Sequence, residues 1–264
     1  MDIPLYVVDA FTDKPFQGNP AAVCPLNAWL NDDLMLAIAA ENNLSETAFL
    51  VPAGDSYELR WFTPKVEVDL CGHATLASAF VLAIISRRQH PVFRFQTKSG
   101  ELTVSEKGGW FTLNFPAQEL EDIEDAKTII NQIGEACGLR PDAVIKAAAN
   151  CMAVYSNEKI IRMITPDFAK VAALDFRGLV ITAPGDRHDF VSRFFAPRVG
   201  INEDPVTGSI HCGLIPYWHR KTGKTELHAF QASGRGGELI CHHRGERVEI
   251  SGQGVLFSEG KIHI

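Results

Sequence analysis

At 264 residues the chain is longer than an ordinary single domain, which points to about two domains, each large enough to bury a core. Its 46% hydrophobic and 22% charged residues describe an ordinary globular protein, and a net charge of −7 without any Lys/Arg cluster excludes a nucleic-acid or anionic-membrane surface. The longest apolar run, Ala74 to Ile85, falls short of the ~20 residues needed to cross a bilayer.

The opening "MDIPLYVVDAF" lacks a basic stretch followed by an apolar one, so no signal peptide is read and the cytoplasm is the expected compartment. "LYVVDAF" is the first strand signal, and Asp32 to Asn42 reads as a helix capped by Asn31 or Asp32. In "NNLSETAFLV", strand alternation puts Glu46 on the face of Ala48 and Leu50, aimed at buried surface, where a charge needs a reason. "TAFLVP" and "ELRWF" follow as strands. His73 to Ile85 is apolar nearly all round and is expected inside its domain. After the strands "FRFQT", "ELTVSE" and "WFTLNF", the acidic, aperiodic stretch Pro116 to Asp125 reads as a linker, and Asp125 to Cys137 as a helix. "AVYS", "GLVITAP", "DFVSRFF", "LHAFQ", "RVEIS" and "GVLF" supply the later strands. The cysteines at 24, 71, 137, 151, 212 and 241 are scattered without metal or redox spacing, as expected of reduced thiols, most of them in the core.

The chain resembles itself. "RWFTPKVEV" from Arg60 recurs as "RFFAPRVGI" from Arg193; "DLCGHATLASAF" is answered by "DPVTGSIHCGLIPYW", and "FQTKSGELTV" by "FQASGRGGELIC". A spacing of about 130 residues is too long for a solenoid unit, so this is a duplicated domain. Each copy reads as strand, Pro-containing turn, small-residue loop, apolar helix and short strands, which a barrel-like sheet around one helix would satisfy.

Gly72 and Gly208 open the two helices, where first-turn amides lack internal partners and favour an anion, so two such ends facing a cleft would hold a carboxylate. The copies differ at one position of interest: aligning "SETAFLVPAGD" with "RGLVITAPGD" sets Glu46 opposite Gly178. The acid is therefore a specialised feature of the first copy.

Together "DAFTDKPFQGNPAAV", "NLSETAFL", "RWFTPKVEVDLCGHATLASA" and "DPVTGSIHCG" are similar, in order and over nearly the whole chain, to the phenazine-biosynthesis PhzF-like family, which shares the diaminopimelate-epimerase fold. The resemblance implies an α+β fold of two pseudo-symmetric domains, each a β-barrel-like sheet around a central α-helix. We expect an N-terminal domain over 1–117, joined by a C-terminal strand at about 255–264, a second domain over 118–254, and an active site in the cleft between them.

In PhzF the glutamate of the "SET" motif shuttles a proton on trans-2,3-dihydro-3-hydroxyanthranilate without a cofactor. Carried over, the catalytic candidates are Glu46, His73 and Asp204, and the substrate-binding candidates are Gly72, Gly208, Ser209, Thr207, Cys71 and Asn19. A base that takes a proton from carbon and returns it suits a carboxyl whose pKa is raised by apolar burial. His73 and Asp204 would orient a ring amine or hydroxyl or assist proton movement; the amides near Gly72, Gly208 and Ser209 would hold the carboxylate.

Racemases of the wider fold use one thiol from each half. Cys71 stands at the first such position but Thr207 at the second, and a hydroxyl is far too weak an acid to replace a thiolate. "TGKT" and "SGRGGEL" each lack a glycine that nucleotide binding requires, and the adjacent His242 and His243 point to opposite sides of a strand, so no nucleotide, metal or other cofactor is expected.

The expected partner is a small cyclic or amino carboxylic acid, with neither nucleic acid nor membrane; a homodimer is implied by the resemblance alone. The expected function is a cofactor-independent isomerase working through Glu46. A racemase, epimerase or dehydratase using Cys71 and a non-catalytic acid-binding module of the same fold are the alternatives.

Overall fold

In a computed structural model of the chain, residues 1–86 and 92–264 are described. Their first elements are β1 (Asp2–Ala10), β2 (Asn19–Pro25), α1 (Asp32–Asn42), β3 (Glu46–Ala53), β4 (Ser56–Phe62), β5 (Glu67–Val68), α2 (Gly72–Ser86), β6 (Val92–Thr97), β7 (Gly100–Lys107) and β8 (Trp110–Pro116). There follow β9 (Leu120–Asp122), α3 (Ala126–Cys137), β10 (Ala143–Ala147), β11 (Asn150–Val154), α4 (Glu158–Met163), α5 (Phe168–Ala173), β12 (Gly178–Pro184) and β13 (Phe190–Ala196). The last are β14 (Ile201–Asp204), α6 (Gly208–Thr222), β15 (Glu226–Gln231), β16 (Gly237–Arg244), β17 (Arg247–Gly252) and β18 (Gly254–His263). The fold is α+β, in two compact units: Met1–Asn114 with Ile250–Ile264, and Phe115–Glu249.

In the first unit β1 runs antiparallel to both β18 and β2. β2 is parallel to β3, β3 antiparallel to β4, β4 parallel to β6, and β6 antiparallel to β7. This sheet wraps α2, which touches β1, β2, β3, β7 and β18. The helix is buried from Gly72 through Ala79 because it is apolar on every side, and the two hydroxyls of that buried stretch bond to carbonyls one turn back. Thr75 Oγ1 donates to the Cys71 carbonyl at 2.5 Å and Ser78 Oγ to that of Ala74 at 2.7 Å.

The other face of the sheet takes α1. Asn31 caps this helix by accepting from Leu34 N–H at 2.8 Å, and the left-handed Asn43 ends it. Met35, Ile38 and Ala39 pack on Ile3, Cys24, Phe49 and Phe62. Phe49 thus faces α1, whereas strand alternation gives Glu46, Ala48 and Leu50 the opposite face.

The second unit repeats the pattern. β10 is antiparallel to β11, β11 parallel to β12, β12 antiparallel to β13, β13 parallel to β15, and β15 antiparallel to β16. α6 has the same 15-residue length as α2. A buried cluster of Ile133, Ile161, Val171, Leu179, Ile181 and Phe195 ties α3, α4 and α5 to the sheet.

The repeat extends to ion pairs. Arg60 clamps Glu67 through Nε and Nη2, both at 2.8 Å, and lies 5.1 Å over Phe62. Arg193 clamps Glu203 at 2.7 and 3.0 Å and lies 4.9 Å over Phe195.

One local reading changes, and three elements come without a prior reading. Within the stretch read as linker, Leu120–Asp122 forms β9 against β10, an edge pairing that an acidic sequence does not announce. α4 and α5, each of 6 residues, are too short for periodicity and depend on the side-chain caps of Asn157 and Asp167. The glycine-rich turn at 234–236 leads into β16, where the alternation of "ELICHH" is the strand signal. No helix among the described residues is long and apolar enough to cross a membrane.

Candidate active site

The first unit gathers Asn19, Glu46, Cys71 and His73 from three elements. Gly18, at φ +66°, makes the turn into β2 in space that a Cβ would fill, 2.1 Å from the Ala10 carbonyl oxygen, and so sets Asn19 at the first position of the strand. Glu46 opens β3, Cys71 immediately precedes α2, and His73 is the second residue of that helix. All four are buried, with Glu46 at 9% exposure and His73 at 4%.

His73 is the hub. Its Nε2 lies 3.1 Å from Glu46 Oε2, and its Nδ1 meets Asn19 Nδ2 at 3.2 Å and Cys71 Sγ at 3.5 Å. The Glu46 contact is close but poorly aligned: neither Oε2 nor Nε2 completes a hydrogen bond among the described residues.

Burial alone would pull the His73 pKa down, but Cys71 and Glu46 carry it well above the ordinary 6.5. Burial and then the Glu46 charge push the Cys71 thiol up. Asn19 serves either form of the ring, donating to a bare Nδ1 or, with its amide turned over, accepting from Nδ1–H.

The second unit gathers a different set. Asp204 ends β14 and is buried; Thr207 precedes α6 and its hydroxyl donates to Asp204 Oδ2. Gln231, wholly buried on β15, clips this loop. Its Oε1 accepts from Thr207 N–H at 2.8 Å, while its Nε2 donates to the Asp204 carbonyl at 2.8 Å and reaches Thr207 Oγ1 at 3.3 Å. His211 Nδ1–H donates to the Thr207 carbonyl at 2.8 Å, and burial lowers the His211 pKa to about 4.

Gly72 and Gly208 are the first, buried residues of their helices, while Ser209, at the place His73 takes in α2, is exposed. The sequence reading passed over Gln231 and His211. Gln231 sits in the repeated "FQ" dipeptide, and His211 lies four residues beyond Thr207, one helical turn.

The repeat explains why only one acid is present. Thr47 pairs with Phe62 and Leu179 with Phe195, so Glu46 and Gly178 occupy equivalent first positions of their strands. A Cβ on Gly178 would stand 2.5 Å from the Phe194 ring and 2.9 Å from the Phe195 carbonyl oxygen. The second unit fills with aromatic carbon the space that the first gives to a carboxylate.

The model of the phenazine biosynthesis-like (PhzC-PhzF) family matches residues 8–260. A Pseudomonas aeruginosa protein named as an uncharacterized isomerase is 50% identical over 264 residues, covering 100% of both chains. The crystal structure of a PhzF-family protein from Enterococcus faecalis superposes with a TM-score of 0.96 at 45% identity, again over 100% of both chains. A hydroxyproline epimerase from Agrobacterium vitis shares the fold, with a TM-score of 0.64 at 12% identity over 99% of this chain and 91% of that one. Sequence and fold agree over the full length, and the chain belongs to the phenazine biosynthesis-like PhzC/PhzF family.

Proposed function

We propose that this protein is a cofactor-independent isomerase that moves a proton on a small cyclic or amino carboxylic acid, with Glu46 as the general acid/base. The observation that carries the reading is the Glu46 carboxylate, buried beside His73 yet holding one oxygen without a completed hydrogen bond among the described residues. An oxygen that touches the imidazole without committing to an aligned hydrogen bond is available for a ligand proton.

In the proposed reaction Glu46 takes the proton from an acidic carbon: the C–H bond breaks, an O–H bond forms, and the electron pair spreads into the substrate's conjugated system. The same carboxyl then delivers the proton to another carbon and returns to its charged form. His73, positive and held by Asn19, balances the carboxylate before and after transfer. The first-turn amides of α2 around Gly72 favour the substrate's carboxylate. Relatives named as isomerases support this class of reaction. Asp204, braced by Thr207 and Gln231, is the further candidate for orienting the substrate's polar group.

The test is exchange of carbon-bound protons for solvent deuterium, followed by NMR over a panel of dihydrohydroxyanthranilate analogues and small amino acids. The wild-type protein is expected to exchange one of them and the Glu46→Gln protein to bind it without exchange. Normal turnover in that variant removes the assignment, and loss of turnover confined to Cys71→Ala transfers the chemistry to the thiol. Binding without any exchange by the wild type supports a non-catalytic module.

A further inference from the structure

We propose that Glu46, Cys71 and His73 form a binding site for a soft divalent cation of the zinc type, and that its occupancy blocks the reaction at Glu46. Among the described residues this is the one group in which three such side chains converge, with a ligand atom from each within 4.8 Å of the others. Thiolate, imidazole and carboxylate are the three ligand types zinc takes, and three protein ligands leave a fourth position open.

The pairwise spacing approaches that of metal ligands. Bonds of about 2.0–2.3 Å around a tetrahedral ion put its donors roughly 3.3–3.7 Å apart. The His73–Glu46 and Cys71–His73 separations are already 3.1 and 3.5 Å. Glu46 approaches Nε2 and Cys71 approaches Nδ1, so the ion takes one nitrogen and the side chain on the other edge rotates toward it. Asn19 on Nδ1 is the outer partner that a metal-bound histidine commonly has, and it leaves Nε2 for the ion.

Charge fits as well. A carboxylate and a thiolate neutralise a divalent cation, and a neutral complex is the form that a buried corner tolerates. As the metal–sulfur and metal–nitrogen bonds form, the Cys71 S–H bond and one His73 N–H bond break, and both protons leave to solvent. The ion then occupies the lone pair that Glu46 would offer to a C–H proton. That inhibitory consequence rests on the proton-transfer reading; binding itself does not.

Cobalt(II) is the probe. Chelator-treated, reduced full-length protein is titrated with Co²⁺ without substrate, and one equivalent is expected to raise a thiolate-to-cobalt charge-transfer band that Zn²⁺ then abolishes by displacement. The band is expected to vanish in Cys71→Ser. Loss of even an outer-shell partner costs about 10–100-fold in affinity, so Glu46→Gln is expected to weaken Co²⁺ binding by at least that much. Should Cys71→Ser fail to fold, shown by its circular dichroism, the near-isosteric glutamine variant gives the decisive reading.

No thiolate band in the wild type, a band that survives Cys71→Ser, or unchanged affinity in Glu46→Gln overturns the site. The two readings fail separately. Expected Co²⁺ binding with normal isomerisation by metal-free Glu46→Gln leaves the cation site and removes the acid/base. An inactive variant with no Co²⁺ binding in the wild type does the reverse.

Discussion

Two histidines near the starts of matching helices show what separates the halves of this duplicated chain. His73 and His211 are both fully enclosed, and burial by itself favours the neutral ring in each. His211 meets the Thr207 carbonyl and the ring of Phe190, with centroids 6.0 Å apart, and its pKa falls to about 4. His73 meets Glu46, and its pKa rises well above 6.5. The same scaffold lowers the histidine pKa in one copy and raises it in the other, and the difference lies in the neighbours: Cys71 and Glu46 beside His73, a backbone carbonyl and an aromatic ring beside His211. Duplication supplied the frame, and the copies diverge at Glu46 and Gly178.

The largest expected effect comes from erasing that divergence in the first unit. Glu46→Gln is expected to lower turnover by about 10²–10⁴-fold, the usual worth of a positioned acid/base, and to reduce the upward shift of the His73 pKa, which Cys71 and Glu46 raise together, read by NMR titration of the ring. An unchanged titration would break the comparison at its root.

Next is the reverse change in the second unit. Gly178→Ala forces a methyl onto Phe194 and the Phe195 carbonyl and is expected to cost about 1–3 kcal/mol in urea unfolding. Unaltered stability would mean that sterics do not bar a side chain there.

The histidines also predict opposite pH dependences of stability. The His73 pKa is raised on folding, so its stabilisation is full below 6.5 and is lost as pH rises through the folded value. The His211 pKa is lowered, so its contribution is full above 6.5 and declines as pH falls toward about 4. Unfolding free energies from pH 4 to 9 are expected to lose their acid-side slope in His211→Gln and to keep it in His73→Gln.

The smallest effect sharpens the part of the comparison in which the halves agree. Arg60 holds the Glu67 pKa down to about 2. The pair therefore stabilises above pH 4.5, and its contribution is lost as pH falls toward about 2. Glu67→Gln is expected to lower stability modestly at neutral pH and to match the wild type near pH 2.

Much of this was legible in the residues because the causes are local. α1 is bounded by Asn31 and Asn43, α3 begins at the Asp125 cap and ends at Gly138, and the apolar girth of α2 marks a central helix. The repeat made Glu46 conspicuous by its absence from the second copy. Other features were hidden because their causes are distant in the chain. The bond between Asn19 and His73 joins residues 54 apart, and the clip of Gln231 on Thr207 joins residues 24 apart. β9 has almost no signal of its own, since its strand form depends on β10.

The amino-acid order alone determined the duplication, the family and the position of the one carboxylate the copies do not share, since these depend on residue identity and spacing. Only the tertiary structure decided that Asn19, Cys71 and Glu46 surround one imidazole, that Ser209 stands exposed while Thr207 turns to Asp204, and that Gly178 is walled in by Phe194. The physical reason is that burial, hydrogen-bond alignment and pKa are properties of neighbours, and in a sheet that brings distant strands side by side the neighbours are set by packing.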